Sequence, residues 1–273
     1  MKNLQPFLIP LLANPITKQS MEPEAFTIKN GYLDARVFLK HTYGYSEWAE
    51  GQDEYENVFT SKWEGLDTTT VSGYLDEIER DRPVYDRFAL SGRILDCGGG
   101  AGTLREFLPK DAEFVSVDPW IHAPNSSSIA RKQAYKCLNE HLNFIACTAE
   151  FLPFVSNAFD WVHMRSMLDH VQVADLAIIE AYRVLRPNGK LLIGLYLEGG
   201  KTGRISPIRW LKNSLKAQLE LVGINRWKDF HVWHPTYAEL IQLVTDNGFE
   251  IEDTYWQPGW NDKVCYLCAV KRL

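Results

Sequence analysis

A short run, Arg93-Ile94-Leu95, ends in the acid Asp96, and the chain continues Cys97-Gly98-Gly99-Gly100-Ala101-Gly102-Thr103. Glycine at the alternate positions Gly98, Gly100 and Gly102 leaves main chain bare enough for a ligand to lie against it. The pattern predicts a strand that turns sharply into a helix. Counting 22 positions on from Asp96, a second apolar run, Phe114-Val115-Ser116-Val117, ends in Asp118. An acid about 20 residues beyond a Gly-rich turn is placed to hold the two hydroxyls of a ribose. Together the two signals predict a bound nucleoside.

The glycine spacing narrows the choice. A dinucleotide fingerprint, G-x-G-x-x-G, that begins at Gly98 needs glycine at 103, where Thr103 stands. An acid at the head of the turn repels a diphosphate but suits a ligand that carries an ammonium group. The form Asp96-x-Gly98-x-Gly100-x-Gly102 resembles the first motif of the class I S-adenosylmethionine-dependent methyltransferases, of the type 11-like kind. Later segments are similar to the same family in the same order: Thr148-Ala149-Glu150-Phe151-Leu152-Pro153-Phe154, Phe159-Asp160-x-Val162, Met164-Arg165-Ser166-Met167, and Glu180-Ala181-x-Arg183-Val184-Leu185-Arg186-Pro187-x-Gly189.

This resemblance runs from about Arg93 to Gly194 and continues more loosely to the C-terminus. It implies S-adenosyl-L-methionine as cofactor. Asp96, Gly98, Gly100 and Gly102 would form the turn beneath it, and Asp118 would grip its ribose. Ala149 and Glu150 would frame the adenine, with Arg165 passing under the methionine portion. Thr148 stands where the family commonly has Asp, so the framing of the base falls to the backbone of Ala149 and Glu150. The implied fold is α/β and Rossmann-like: a seven-stranded, mostly parallel sheet with an antiparallel last strand and helices on both faces.

A sulfonium methyl is already electrophilic, so the protein must hold an acceptor lone pair in line behind it. A base is needed only where the acceptor must lose a proton. His163, Asp169 and His170 cluster after the fourth predicted strand, at the end of the sheet where ligands bind in open α/β folds. His170, with Asp169 beside it, is the candidate base. His163, inside an apolar strand, reads as a core histidine.

The elements that must position these groups alternate. Strands are predicted at Ile94–Cys97, Phe114–Asp118, Asn143–Cys147, Phe159–Met164 and Lys190–Tyr196. Helices are predicted at Gly102–Leu108 and Ala130–His141, and at Ala174–Leu185 from its apolar spacing. Such alternation argues for a parallel sheet. Thr236-Tyr237-Ala238-Glu239 is a capping box that opens a helix closed by Gly248, and Phe249–Tyr255 and Lys263–Val270 follow as a closing strand pair. A helical segment from about Ser72 to Leu90, broken at Pro83, is expected to cover the cofactor pocket.

Composition excludes little. In 273 residues, 45% hydrophobic and 23% charged content are ordinary for a globular chain, so a sizeable core is available. A net charge of −6 disfavours nucleic acid as the main partner. No apolar run approaches the ~20 residues of a membrane span, and Phe7 to Ala13, interrupted by Pro10, reads as buried strand or turn. Five cysteines in apolar contexts suggest a reduced, cytoplasmic protein. Cys265 and Cys268 lie three apart on a predicted strand and so point to opposite faces, which argues against chelation. His231 and His234 lack a third ligand at suitable spacing, so no metal is expected.

Residues 1–65 read as a small N-terminal segment and 66–273 as the cofactor-binding domain. In the former, Leu11 to Lys18 and Ile28 to Leu33 are similar to a degenerate zinc-ribbon-like segment, with Asn14 in place of a cysteine. Gly199 to Gly203 reads as a loop that leaves the fifth strand. Ser206-Pro207 opens an amphipathic helix with Ile208, Leu211, Leu215 and Leu219 along one side, expected to cover a substrate. Trp227, Trp233, Trp256 and Trp260 add aromatic surface that either lines an acceptor site or packs the insertion. The reading that best joins these features is methyl transfer to a small-molecule acceptor. Its alternative is a non-catalytic protein that binds S-adenosylmethionine or S-adenosylhomocysteine as sensor or partner subunit.

Overall fold

A computed structural model describes residues 4–41, 45–46, 48–53, 69–203, 231–259 and 262–272. The predicted helix after Ser206, together with Trp227, Trp260 and most of 43–63, lies outside them. At the centre of the sheet runs β3 (Arg93–Cys97), apolar after Arg93 except for Asp96. Such strands belong in parallel sheets that are covered on both faces. Neighbours of β3 are β4 (Glu113–Asp118) and β6 (Phe159–Arg165), both parallel to it. Beyond β4 lies β5 (Phe144–Ala146), and beyond β6 lies β7 (Leu185–Tyr196).

The closing pair, β8 (Phe249–Trp256) and β9 (Val264–Lys271), is antiparallel, and β9 pairs antiparallel with β7 from Lys190↔Val270 to Tyr196↔Val264. These seven strands have the predicted types and directions. Two more extend the far edge. β1 (Thr27–Lys29) and β2 (Tyr32–Asp34) form a hairpin, and β2 pairs in parallel with β5. The hairpin turns on Asn30 and Gly31, at φ +51° and +84°, the left-handed pair that a two-residue loop needs. The sheet therefore has nine strands among the described residues, in the order β1-β2-β5-β4-β3-β6-β7-β9-β8.

Alternation along β3 sends its side chains to two cores. Leu95 and Cys97 join one, with α3 (Ala174–Val184), α4 (Tyr237–Asp246) and the N-terminal Leu8 and Leu12. Ile94 joins the other, with Val84, Tyr85 and Phe88 of α1 (Val71–Phe88). Helices thus cover both faces. The apolar N-terminal run folds as a 3-10 helix, Pro6–Leu11, after which Leu12 bridges Phe154 and the Ala13 amide donates to the Pro153 carbonyl at 2.9 Å.

Three helical expectations need correction. α1 is not broken at Pro83; it runs 18 residues, capped by Thr70. A proline inside a helix costs about 3 kcal/mol. The buried stripe of Tyr74, Ile78, Val84, Tyr85 and Phe88 outweighs that cost. The predicted helix Ala130–His141 is only α2 (Ile129–Ala134), followed by a 3-10 turn at Lys136–Asn139. Tyr135 breaks it by turning inward, where its ring meets Tyr74 and its hydroxyl donates to Glu77 at 2.8 Å. The segment after the glycine turn is a 3-10 helix, Thr103–Phe107, not an α-helix. The capping box is present as expected: Glu239 accepts from the Thr236 amide at 2.7 Å while the Thr236 hydroxyl accepts from the Glu239 amide at 3.3 Å. No helix among the described residues is long and apolar enough to cross a membrane.

Candidate functional site

At the carboxyl ends of β3, β4 and β6 lies a cavity of about 480 Å³. Asp96 and Asp118 both line it, as do Gly98, Gly100, Ala149, Glu150, Arg165 and His170. Gly102 and Asp169 stand just outside its wall.

The turn between β3 and β4 shapes the floor. Gly98, Gly100 and Gly102 have φ of +67°, +53° and +75°, so the chain alternates into the left-handed region that favours glycine. A side chain at Gly98 would strike Met167 Cβ at 2.6 Å, which fixes how closely this turn approaches the loop after β6. At Gly100 a Cβ would meet nothing within 4 Å, because the space above it is the cavity itself. That is a cradle open to a ligand.

Asp118 closes the other side. Burial pushes its carboxyl up to about 6, and the charge of Asp96 acts in the same direction. The backbone N–H groups of Trp120, at 2.9 Å, and Gly100 oppose the rise. Above that value the group is a carboxylate with acceptor capacity left for two hydroxyls.

Asp96 is buried, and one of its oxygens is taken by a side chain that sequence reasoning assigned to the core. His163 Nδ1 lies 2.7 Å from Asp96 Oδ1, and its Nε2 lies 3.3 Å from the Tyr85 hydroxyl. His163 is buried, and it also lines the cavity together with Tyr85. Tyr85 is held well above the usual phenol range by burial, so it stays protonated.

Arg165, at the end of β6, pairs with the fully buried Asp81 of α1 at 2.6 Å. Gln257 donates to the other Asp81 oxygen at 2.8 Å. Burial alone would lower the guanidinium, but Tyr85, Tyr266 and Asp81 outweigh it and hold Arg165 above its ordinary range. α1 is thus tied to the floor by two polar contacts, at Asp81 and at Tyr85, one helical turn apart.

The adenine-framing segment follows β5. The Thr148 hydroxyl donates to the Val37 carbonyl at 3.0 Å. Glu150 is buried, and its carboxylate accepts from the Gln172 and Val173 amides at 2.7 and 3.3 Å, which anchors the loop before α3. Burial raises its carboxyl in spite of these bonds. Ala149 and Glu150 therefore reach the cavity on a rigid main chain.

His170 lines the cavity, but Asp169 lies 3.9 Å from its Nε2, beyond hydrogen-bond reach. Two further wall residues escaped the sequence reading. Trp48 is buried and donates from its indole to the His170 carbonyl at 2.8 Å, and Gln52 stands near it in the same wall. Nothing local in the sequence marks them, because they come from the N-terminal segment over a separation of 122 residues.

Known proteins resemble this chain in sequence and in fold. Residues 95–193 match the family pattern described as methyltransferase domain. Over 165 residues the chain is 35% identical to a ubiquinone/menaquinone biosynthesis C-methyltransferase of Agrobacterium fabrum, covering 57% of this chain and 63% of that protein. A protein of the same description from Rhizobium rhizogenes is 29% identical, covering 57% and 64%. The chain thus spans slightly less than two thirds of these relatives' length. Among solved structures, the 1,6-didemethyltoxoflavin-N1-methyltransferase of Burkholderia thailandensis, bound to S-adenosylhomocysteine, superposes with a TM-score of 0.54 at 15% identity, covering 90% of this chain and 98% of that one. A Thermotoga maritima S-adenosylmethionine-dependent methyltransferase gives 0.52 at 20% identity, covering 83% and 100%. At these identities the likeness shows the fold.

Proposed function

We propose that the chain is a class I S-adenosylmethionine-dependent methyltransferase that transfers the cofactor's methyl group to a small-molecule acceptor held in the cavity beside His170, a reading supported by the family match over residues 95–193. The observation that carries this reading is that Asp96 and Asp118 face one open cavity across the bare turn at Gly100. S-adenosyl-L-methionine supplies a methyl group that is electrophilic without further activation.

The chain's own residues bind and orient. The Asp118 carboxylate accepts hydrogen bonds from the ribose hydroxyls. Asp96, kept in place by His163, offers negative charge to the ammonium group. Arg165 presents positive charge to the carboxylate of the methionine portion, and Ala149 and Glu150 frame the base. For an acceptor that must lose a proton, His170 is the base in this proposal, with Asp169 nearby. The acceptor class follows the relatives named above, which methylate carbon in quinone biosynthesis, so a hydroxylated ring is the first class to try. Cytoplasmic placement is part of the same proposal, supported by five cysteines that are all free and buried.

The test is formation of S-adenosylhomocysteine from S-adenosyl-L-methionine with a panel of hydroxylated aromatic and amine acceptors. Turnover with one class supports the reading. Tight cofactor binding with no turnover on any class would leave the non-catalytic alternative in its place.

A further inference from the structure

Behind the cavity wall, the adjacent pair Asp169 and His170 meets a third group, His231, from a distant part of the chain. Asp169, His170 and His231 each offer one ligand atom, and these atoms lie within 4.8 Å of one another. His231 Nε2 is 3.6 Å from Asp169 Oδ2, and His170 Nε2 is 3.9 Å from Asp169 Oδ1. The imidazole rings of His170 and His231 have centroids 4.4 Å apart and planes tilted by 37°. The backbone enforces this meeting, since the Val232 and Trp233 amides both donate to the Asp169 carbonyl, at 2.8 and 3.3 Å.

These spacings are too long for hydrogen bonds, which close to about 2.7–3.2 Å. They are near what donors show around a shared ion. Ligands about 2.0–2.1 Å from a tetrahedral zinc stand about 3.4 Å apart. Asp169 Oδ1 is moreover buried with no hydrogen-bond partner among the described residues. A buried carboxylate oxygen left in that state calls for a cation or a donor. The sequence reading found no third ligand for His231, because Asp169 lies 62 residues away (231 minus 169) and only the fold brings it there.

We propose that Asp169, His170 and His231 bind one divalent transition-metal ion of the zinc class. Two imidazoles and one carboxylate are a borderline donor set, which suits zinc or cobalt and not the hard, oxygen-seeking magnesium or calcium. Three protein ligands leave a coordination position open. With His170 in the cavity wall, that position faces the acceptor, whose hydroxyl oxygen would bind the ion and lose its proton to solvent more readily. With that hydroxyl ionised, the ring carbon ortho to it forms the bond to the methyl carbon as the carbon–sulfur bond breaks, leaving a neutral thioether, and the proton on that ring carbon then leaves to solvent. This role rests on the preceding reading for the place of the acceptor. It also excludes the other use of His170, because the Nε2 lone pair cannot serve ion and proton at once.

The experiment is calorimetric titration of the chelator-treated full chain with Zn²⁺, and with Co²⁺ for its visible spectrum. S-adenosylhomocysteine is titrated separately into the same preparations. The expected result is one Zn²⁺ per chain, with affinity at least about thirtyfold weaker in His231→Ala and Asp169→Asn. His141→Ala, an exposed histidine elsewhere, should bind zinc like the wild type, and His231→Ala should keep its S-adenosylhomocysteine affinity. Absence of zinc binding in the wild type, or binding that survives His231→Ala, overturns the proposal and returns His170 to the role of base. Loss of S-adenosylhomocysteine binding in the wild type would instead strike the methyltransferase reading, whatever the zinc result.

Discussion

His163 and Asp96 occupy paired positions on β6 and β3, and the imidazole Nδ1 stands 2.7 Å from the carboxylate oxygen. A buried carboxylate at the head of a ligand-binding turn needs a partner when no ligand is bound, and His163 is that partner. His163→Leu should strand the carboxylate and cost about 1–3 kcal/mol of stability. His163→Gln, which keeps an N–H donor, should cost less. Urea denaturation of both variants checks this; equal midpoints would mean that the contact does not support Asp96.

Asp118→Ala should weaken S-adenosylhomocysteine binding at least about tenfold, since a hydrogen bond to a charged group contributes about 1.5–3 kcal/mol. Cys97→Ala removes a thiol buried in the core on the adjacent strand, and its affinity should equal that of the wild type. Similar affinities for the two variants would remove Asp118 from the ribose.

The raised Asp118 carboxyl also predicts a pH dependence. The ribose hydroxyls donate to the ionised form, so the protonated form must first lose its proton to bind. With the group at about 6 in the free protein, affinity is full above that pH and falls as pH drops through it. At pH 5 it should be about tenfold weaker than at pH 7. The Asp118→Asn variant should lose this dependence; a wild-type profile that is flat between pH 5 and 7 would argue against the assignment.

Pro83 is exposed in the middle of α1. Pro83→Ala restores the missing helical N–H and should raise stability by about 1–3 kcal/mol. Thermal melting reads it directly. A lower melting temperature would show that the proline is needed to seat Tyr85 and Asp81.

What the sequence disclosed was local. The Asp96-to-Gly102 turn, Asp118 and the Thr236 capping box depend on residues close together in the chain, and each stands where its pattern placed it. The helix at Pro83 was misjudged because propensity acts locally while the buried stripe of α1 acts through the fold. Asn30-Gly31 carries a local hairpin signal, but the place of β1 and β2 at the sheet edge depends on the pairing of β2 with β5, more than 100 residues on. His163 was read from its apolar neighbours alone. Its partners Asp96 and Tyr85 lie 67 and 78 residues away, separations across which no spacing rule operates. Trp48, Asp81 and the meeting of Asp169 with His231 were invisible for the same reason.

The central claim is that the cavity above Gly100 holds the cofactor. Its most direct test is calorimetric titration of the wild type and of Gly100→Leu with S-adenosylhomocysteine. A leucine there points into the open space that the ligand needs, without meeting protein at its Cβ. One binding site per chain in the wild type and none measurable in a folded Gly100→Leu is the predicted outcome. Equal binding by the two proteins would place the cofactor elsewhere and contradict the account.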